Sequence, residues 1–458
     1  MKNFDAIIIG TGQSGPPLAS RFAKEGMSVA IVERKLFGGT CVNTGCTPTK
    51  AMVASAGAAY MARNSDKYGI KIDGSIKVDM QKVIDRKDDI VGRHNDEIPD
   101  WMKNMNNLTA FKGHARFESR DTVRIEDELL KADKIFIDAG ARARIPDIPG
   151  IDKIDYMTNS DIVNISFLPE HLIIIGGSYI GLEFGQMFHR FGSEVTIVEQ
   201  GSRLIGKEDE DISDGIKQIL ESEGVKIRLN SNCIGLEQEG KKIKVIMDCQ
   251  NEKAEITGSH LLIAAGRIPN TDDLGLDKAG VETDHTGYIK TDDKLRTNVQ
   301  GIWALGDCNG KGAFTHTSYN DYEIVSANLF DNWSRKVSDR IMSYNLYIDP
   351  PLGRAGMTAE QVRKSGKSAM IAKYPMSKVS RALEKGETRG FMKVLIEKDS
   401  NRILGAVILG VGGDEIIHSI IDIMYAKKPY TVIRDAVHIH PTVSELIPTM
   451  LESFEPLD

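Results

Sequence analysis

No apolar run in this chain approaches the roughly 20 residues that a membrane-spanning helix needs. The first ten residues make a poor secretory leader, because their apolar run is short and the acidic Asp5 precedes it. A cytoplasmic protein without a membrane partner is expected. Neither sign of charge dominates: the net charge is -7 and the pI is near 5.9, which leaves no electrostatic footprint for nucleic acid. Cysteine is scarce, with five in 458 residues. That excludes a structural disulfide framework and makes a close pair a candidate for catalysis or metal binding. No second cysteine pair stands at the spacing of a zinc site, so no metal site is expected. What remains is an ordinary globular composition, 41% hydrophobic and 27% charged, long enough for about three domains.

The chain contains an internal repeat. Ala6-Ile7-Ile8-Ile9 reads as a buried strand, followed by Gly10-Thr11-Gly12-Gln13-Ser14-Gly15, a helical stretch, and a second strand Val29–Val32 that ends at Glu33. Leu172–Ile175 leads in the same way into Gly176-Gly177-Ser178-Tyr179-Ile180-Gly181, a helix, and Val195–Val198 ending at Glu199. In both copies the acidic residue lies 23 positions after the first glycine. Each copy has a later echo, a strand running into a glycine turn: Ile135–Gly140 and Leu261–Gly266. Two nucleotide-binding domains follow. The second is inserted into the first, because another strand-to-glycine motif returns near Gly306. Pro146–Gly150 reads as a linker, and strand patterns at Phe391–Ile396 and Ile403–Leu409 place a third, α+β domain at the C-terminus.

A strand, a glycine turn and a helix N-terminus form a pyrophosphate site, since exposed N–H groups and the positive dipole end meet the anion. Gly10 makes the tight turn, Gly12 admits the phosphate, and Gly15 lets helix and strand pack closely. Glu33 stands where a ribose hydroxyl is bound. In the second loop Ser178 replaces the middle glycine. Glu199 there repels a 2′-phosphate and favours NADH over NADPH, although Arg203 is close in sequence.

Gly38-Gly39-Thr40-Cys41-Val42-Asn43-Thr44-Gly45-Cys46-Thr47-Pro48-Thr49-Lys50 is the most specific stretch. Residues five apart in a regular helix are too distant for a disulfide, so Asn43-Thr44-Gly45 must distort the turn. The helix is expected to begin near Pro48, placing Cys46 by its positive end, where a thiol pKa falls. Cys233, Cys249 and Cys308 are isolated and assigned to packing.

This stretch resembles the active-site signature of the class I pyridine nucleotide-disulfide oxidoreductases, which include dihydrolipoamide dehydrogenase, glutathione reductase and mercuric reductase. The resemblance extends over nearly the whole chain; Thr47 and Thr49 depart mildly from the commonest form. It implies an α/β architecture with two Rossmann-like domains, the second inserted in the first, and a C-terminal α+β dimerisation domain. The expected divisions are 1–147 and 271–338 for FAD, 148–270 for NAD(P), and 339–458 for dimerisation. FAD is held by Gly10, Gly12, Gly15, Glu33, Gly39, Thr40, Lys50, Gly140 and Asp307. NAD(P) is held by Gly176, Ser178, Tyr179, Gly181, Glu199 and Gly266. Cys46 is the thiol beside the flavin and Cys41 the thiol that exchanges with substrate. Lys50 pairs with Glu183, Tyr179 covers the flavin, and Arg267 and Pro269 form a structural turn. His440, oriented by Glu445, is the acid–base residue, and it acts across a homodimer interface; His438 has the weaker claim.

Within the family, His438-Ile439-His440-Pro441-Thr442 and Glu199 fit dihydrolipoamide dehydrogenase, with a disulfide or dithiol substrate. Ser178 fits mercuric reductase, but no C-terminal cysteine pair is present. A reductase of soft metal ions or quinones is the alternative, and a subunit of a larger assembly is a third.

Overall fold

The computed structural model describes residues 1–249 and 252–458, and no side chain at 94–96, 249 or 252. The packing role assigned to the Cys249 side chain thus lies outside the described residues. The chain divides into two compact units. One comprises Met1–Ala51, Ile84–Arg144 and Gly266–Arg340; the other comprises Met52–Val83, Ile145–Ala265 and Ile341–Asp458.

In the first unit the strands Ala6–Ile9, Val29–Glu33 and Lys134–Ile137 are apolar along almost their whole length and buried on both faces. Such strands suit a parallel sheet covered on two sides. The sheet runs Ile302–Ala304, Lys134–Ile137, Ala6–Ile9, Val29–Glu33, Leu108–Lys112, all parallel. Alternate residues separate into two cores. Ile7, Ile9, Val32 and Ile137 pack on one side. Ile8, Ile31 and Phe136 pack on the other, against Leu18 and Phe22 of the helix Gly15–Lys24.

The second unit repeats the plan. His171–Ile175 lies between Glu194–Val198 and His260–Ile263, with Lys226–Arg228 outside, again all parallel. These strands fall in sequence between Lys134–Ile137 and Ile302–Ala304, so the second nucleotide-binding fold is an insertion in the first. The same unit holds a six-stranded antiparallel sheet, in the order Ser343–Leu346, Leu352–Gly356, Ile403–Leu409, Phe391–Glu397, Ala369–Pro375, Glu455–Pro456. Val394, Ala406 and Ile408 of this sheet pack on Ile417 and Ile420 of the helix Gly413–Tyr425.

A buried ionic cluster links this sheet to the inserted fold. Arg354 is ion-paired with Glu208, and their side chains are 1% and 0% exposed. Tyr344 donates its hydroxyl to the same carboxylate, and Arg354 Nη1 donates to Met357 O at 3.2 Å. Nearby, Lys393 donates to Asp209 at 2.9 Å and to Asp211 at 2.7 Å. Breaking such a pair from one side strands a charge in a dry environment. Arg354→Met is therefore expected to lower the unfolding free energy by about 3–5 kcal/mol, whereas Arg354→Met with Glu208→Leu should lose less than the sum of the two single changes. Urea unfolding of the three variants checks this; an unchanged midpoint in Arg354→Met contradicts it.

Candidate active site

The first glycine loop is closed by backbone against backbone. Gly10 has φ +109° and donates its N–H to Val32 O at 2.8 Å. A Cβ there would collide with the carbonyl oxygen of Asp138, so only glycine serves. Gly15 opens its helix with Pro16 and Pro17 in the first turn, where missing donors are tolerated. Glu33 is 8% exposed. Its Oε2 accepts from the Thr11 N–H at 3.1 Å and the Thr11 hydroxyl at 2.7 Å, and its Oε1 from the Lys35 N–H at 2.7 Å. Three donors on about four acceptor positions leave room for a ribose hydroxyl. A cradle that excludes side chains, set at the start of a helix with an anchored carboxylate beside it, fits a dinucleotide. Gly39, at φ +63°, continues it: a Cβ there would lie 3.0 Å from Gly12 Cα.

The second loop repeats this geometry. Glu199 Oε2 accepts from Gly177 N at 2.6 Å, the counterpart of the Thr11–Glu33 bond, and Oε1 accepts from Gly201 N at 2.6 Å. A Cβ at Gly176 would collide with Ala264 O, and one at Gly181 with Gly176 O. Ser178 has φ -109° and ψ -173°, an extended backbone open to any residue, which explains why serine is accepted there. Arg203 Nη2 donates to Gly206 O at 3.3 Å and lies 3.8 Å from Glu360.

The cysteine pair sits where two helices meet. Cys41 lies in the short helix Gly39–Asn43, which Thr44 ends at φ -142°. The next helix, Cys46–Arg63, starts at Cys46 itself, two residues before the expected Pro48, with Thr49 N bonded to Gly45 O at 3.0 Å. Proline is tolerated in a first turn and does not have to open it. Cys46 thus stands at the helix start. Gly45 is required by crowding: a Cβ would lie 2.8 Å from Thr40 O and 3.2 Å from Cys41 Cα. Thr40 itself is exposed on the short helix.

Both cysteines are free thiols, Cys41 half-buried and Cys46 exposed. Thr315, the first residue of the helix Thr315–Phe330, touches both. Its hydroxyl donates to Cys41 Sγ at 3.1 Å and lies 3.3 Å from Cys46 Sγ. The hydrogen bond to Cys46 and then burial hold the Cys41 thiol well above the usual thiol range, while Thr315 opposes them. Sequence reasoning missed Thr315, which lies 269 positions from Cys46 in no recognised motif.

The remaining expected residues divide between the units. Lys50 follows Cys46 by one helical turn in the first unit. Gly140 and Gly266 both have positive φ; Asn270 N bonds to Gly140 O at 3.0 Å and Arg144 N to Gly266 O at 2.9 Å. Arg267 and Pro269 form a two-stranded ladder with Ala141–Ala143, and Arg267 Nη2 lies 3.5 Å from Asp307. Burial raises the Asp307 carboxyl, and Arg267 counters it. Cys308 is fully buried, its thiol directed at Leu305 O (3.2 Å) and Ile137 O (3.4 Å), as a packing residue.

In the second unit Glu183 is buried and accepts from Tyr347 N at 3.0 Å. Tyr179 opens the helix Tyr179–Phe191, with its ring edge-on to Tyr344 at 5.4 Å; burial pushes its hydroxyl up to about 12. His440 is 74% exposed with Nδ1 2.9 Å from Glu445 Oε2, so the carboxylate orients the ring. His438 Nδ1 lies 3.2 Å from Ala436 O. No helix among the described residues is long and apolar enough to cross a membrane.

Comparison with known proteins assigns this arrangement. Residues 4–321 match the family described as pyridine nucleotide-disulphide oxidoreductase, and residues 342–451 match its dimerisation domain. The probable pyridine nucleotide-disulfide oxidoreductase RclA of Escherichia coli (strain K12) is 36% identical over 453 residues, covering 97% of this chain and 98% of that protein. The dihydrolipoyl dehydrogenase of Chlamydia muridarum is 29% identical over 448 residues, covering 97% of this chain and 95% of that protein. A solved structure described as the Cu(II) complex of the HOCl-induced flavoprotein disulfide reductase RclA from Escherichia coli superposes with a TM-score of 0.89 at 34% identity, over 98% of this chain and 99% of that one. The chain belongs to the pyridine nucleotide-disulphide oxidoreductase family, whose members bind FAD and use a pyridine nucleotide, and it is a flavoprotein disulfide reductase.

Proposed function

We propose that the chain moves electrons from NADH, through FAD and the Cys41–Cys46 pair, to a small-molecule or protein disulfide. The observation that carries this is the position of the two sulfurs, on either side of a helix break and within 3.1 and 3.3 Å of one threonine hydroxyl. On this reading residues 1–147 and 271–338 form the FAD domain, 148–270 the NAD(P) domain and 339–458 the dimerisation domain.

Bound FAD would supply two-electron transfer between the nicotinamide and the disulfide. Within the first unit, Lys50, one helical turn after Cys46, would orient it. Cys46, at the helix start, is the thiol that stays ionised. Cys41 attacks the substrate disulfide as thiolate and expels one substrate thiolate, forming a mixed disulfide. Its raised pKa requires a base, and His440 of the partner subunit, held by its own Glu445, takes the proton and returns it to the departing sulfur. Cys46 then displaces the second substrate thiolate from Cys41, which leaves the Cys41–Cys46 disulfide. Two electrons pass from the pair to the substrate; one proton is that of Cys41, carried by His440 to the first departing sulfur, and the second departing thiolate takes its proton from water.

A second reading rests on the Cu(II) complex of the related RclA: the same dithiol is a soft donor pair, and soft metal ions are candidate acceptors. Anaerobic NADH oxidation with a disulfide or with Cu(II) as acceptor separates the two.

Three outcomes are expected. Anaerobic titration of the holoenzyme with NADH should give a long-wavelength thiolate-to-flavin band after two electrons, and Cys46→Ser should abolish it; simple bleaching of the flavin would remove the cysteines from the electron path. Once Cys46 is ionised, the Thr315 hydroxyl can turn its proton from Cys41 to that sulfur, 3.3 Å away; loss of a hydrogen bond to a thiolate disfavours the charged form, so Thr315→Val should raise the pH at which that band develops by about one unit, and Thr315→Ser should not. The Glu199 carboxylate, with Arg203 directed at Gly206, supports a kcat/KM for NADH above that for NADPH by about tenfold or more, the equivalent of ~1.4 kcal/mol; equal values would refute the assignment.

A further inference from the structure

The first nucleotide fold buries a carboxyl that the electron path does not use. Asp138 follows the strand Lys134–Ile137 and is 6% exposed. Its N–H is bonded to Ile9 O at 2.8 Å, which fixes the residue to the neighbouring strand. Its Oδ2 accepts from the Gly15 N–H, the first of the helix, at 2.9 Å. A Cβ on Gly12 would lie 2.9 Å from Oδ2, and one on Gly306 would lie 2.8 Å from Oδ1. The carboxyl is therefore wedged between the two turns expected to meet FAD, the 10–15 loop and the Gly306-Asp307 turn. Ser14 Oγ, 2.6 Å from Ser318 O, ties the loop to the helix Thr315–Phe330 beside it.

The internal repeat supplies a control. The residue that closes on the second glycine loop, in the place of Asp138, is Ala264. That loop keeps the same backbone turn without a carboxyl, and it carries Ser178 where the first has Gly12. The loop geometry alone thus has no need of Asp138.

Its surroundings disfavour a negative charge. The titratable groups facing it are Asp307, Cys308 and Asp321. Asp321 is already paired with Arg340, and Arg267 lies on the far side at Asp307. Among the described residues Asp138 has no ion pair. Burial raises its carboxyl well above the ordinary range, Asp307 and Asp321 add to this, and the Gly15 and Ser14 N–H groups oppose it.

We propose that Asp138 is a positioning residue for FAD, a carboxyl held uncharged between the two glycine turns so that the helix Gly15–Lys24 keeps its positive end for the pyrophosphate. As a carboxylate on the Gly15 N–H, it would cancel that field and repel the phosphates. As a neutral acid it bonds the same N–H and leaves the field intact. The sign follows: the acid is neutral below its raised pKa, so FAD is held tightly there and less tightly as pH rises through it. Binding the FAD anion raises that pKa further, so FAD binding takes up a proton.

This rests on the FAD reading of the first loop, and the experiment separates the two. FAD affinity of the stripped full-length protein is measured from pH 6 to 9.5 by quenching of flavin fluorescence, for wild type and Asp138→Asn. Wild-type affinity should fall with pH, by up to about tenfold per unit between the free-state pKa and the higher bound-state pKa, and level off above it. Asp138→Asn should keep the acid-side affinity and lose the slope. Calorimetry of the wild type in two buffers of different ionisation enthalpy should count an uptake of up to one proton per FAD, a reading independent of whether the variant folds. A wild-type affinity flat with pH, the same slope in Asp138→Asn, or no proton uptake overturns the proposal. Failure of wild type to bind FAD at any pH overturns the FAD reading itself.

Discussion

Both nucleotide-binding folds depend on one close approach, a glycine at the end of a strand pressed against the carbonyl of the residue that ends the next strand. Gly10 meets Asp138 and Gly176 meets Ala264 so closely that any side chain would collide. This contact draws the loop down onto the sheet and aims the following helix start outward. The anchored carboxylates then fall into place, because Thr11 N and Gly177 N, each one residue past the glycine, donate to Glu33 and Glu199. The remaining features of the two sites are arranged around these two turns.

The thiol pair obeys a different constraint. A continuous helix would hold Cys41 and Cys46 apart, and a loop would hold neither. The break at Thr44-Gly45 joins two short rigid segments, so each sulfur has a fixed direction and both converge on Thr315. One hydroxyl has one proton to donate, so it can favour only one sulfur at a time. That asymmetry suits a pair in which one thiol exchanges with substrate and the other remains as a thiolate.

Much of this was legible in the sequence, for local reasons. Strands buried on both faces read as unbroken apolar runs, and the 23-residue interval from glycine to acid recurs because the same turn, helix and strand recur. Gly45 could be inferred to distort the helix, since the cysteine spacing demanded it. The rest depends on contacts between distant segments. Thr315 sits in an unremarked Thr-His-Thr. Asp138 read only as the end of a strand before a glycine. The Arg354–Glu208 pair joins residues 146 positions apart, and neither lies in a motif. The helix start was misplaced by two residues because proline at a first turn and proline opening a helix look alike in sequence.

The insertion of one fold in another also shapes how the protein is made. Ile302 pairs with Ile135, which the ribosome has produced 167 residues earlier. At about 5–20 residues per second, the strand Lys134–Ile137 waits on the order of ten to thirty seconds with one edge unpaired. An apolar strand with an open edge is a template for joining another chain. The nascent first fold is thus exposed to mispairing until the inserted fold has been synthesised, and Thr315, the residue that touches both thiols, is made only after the strand that closes that edge.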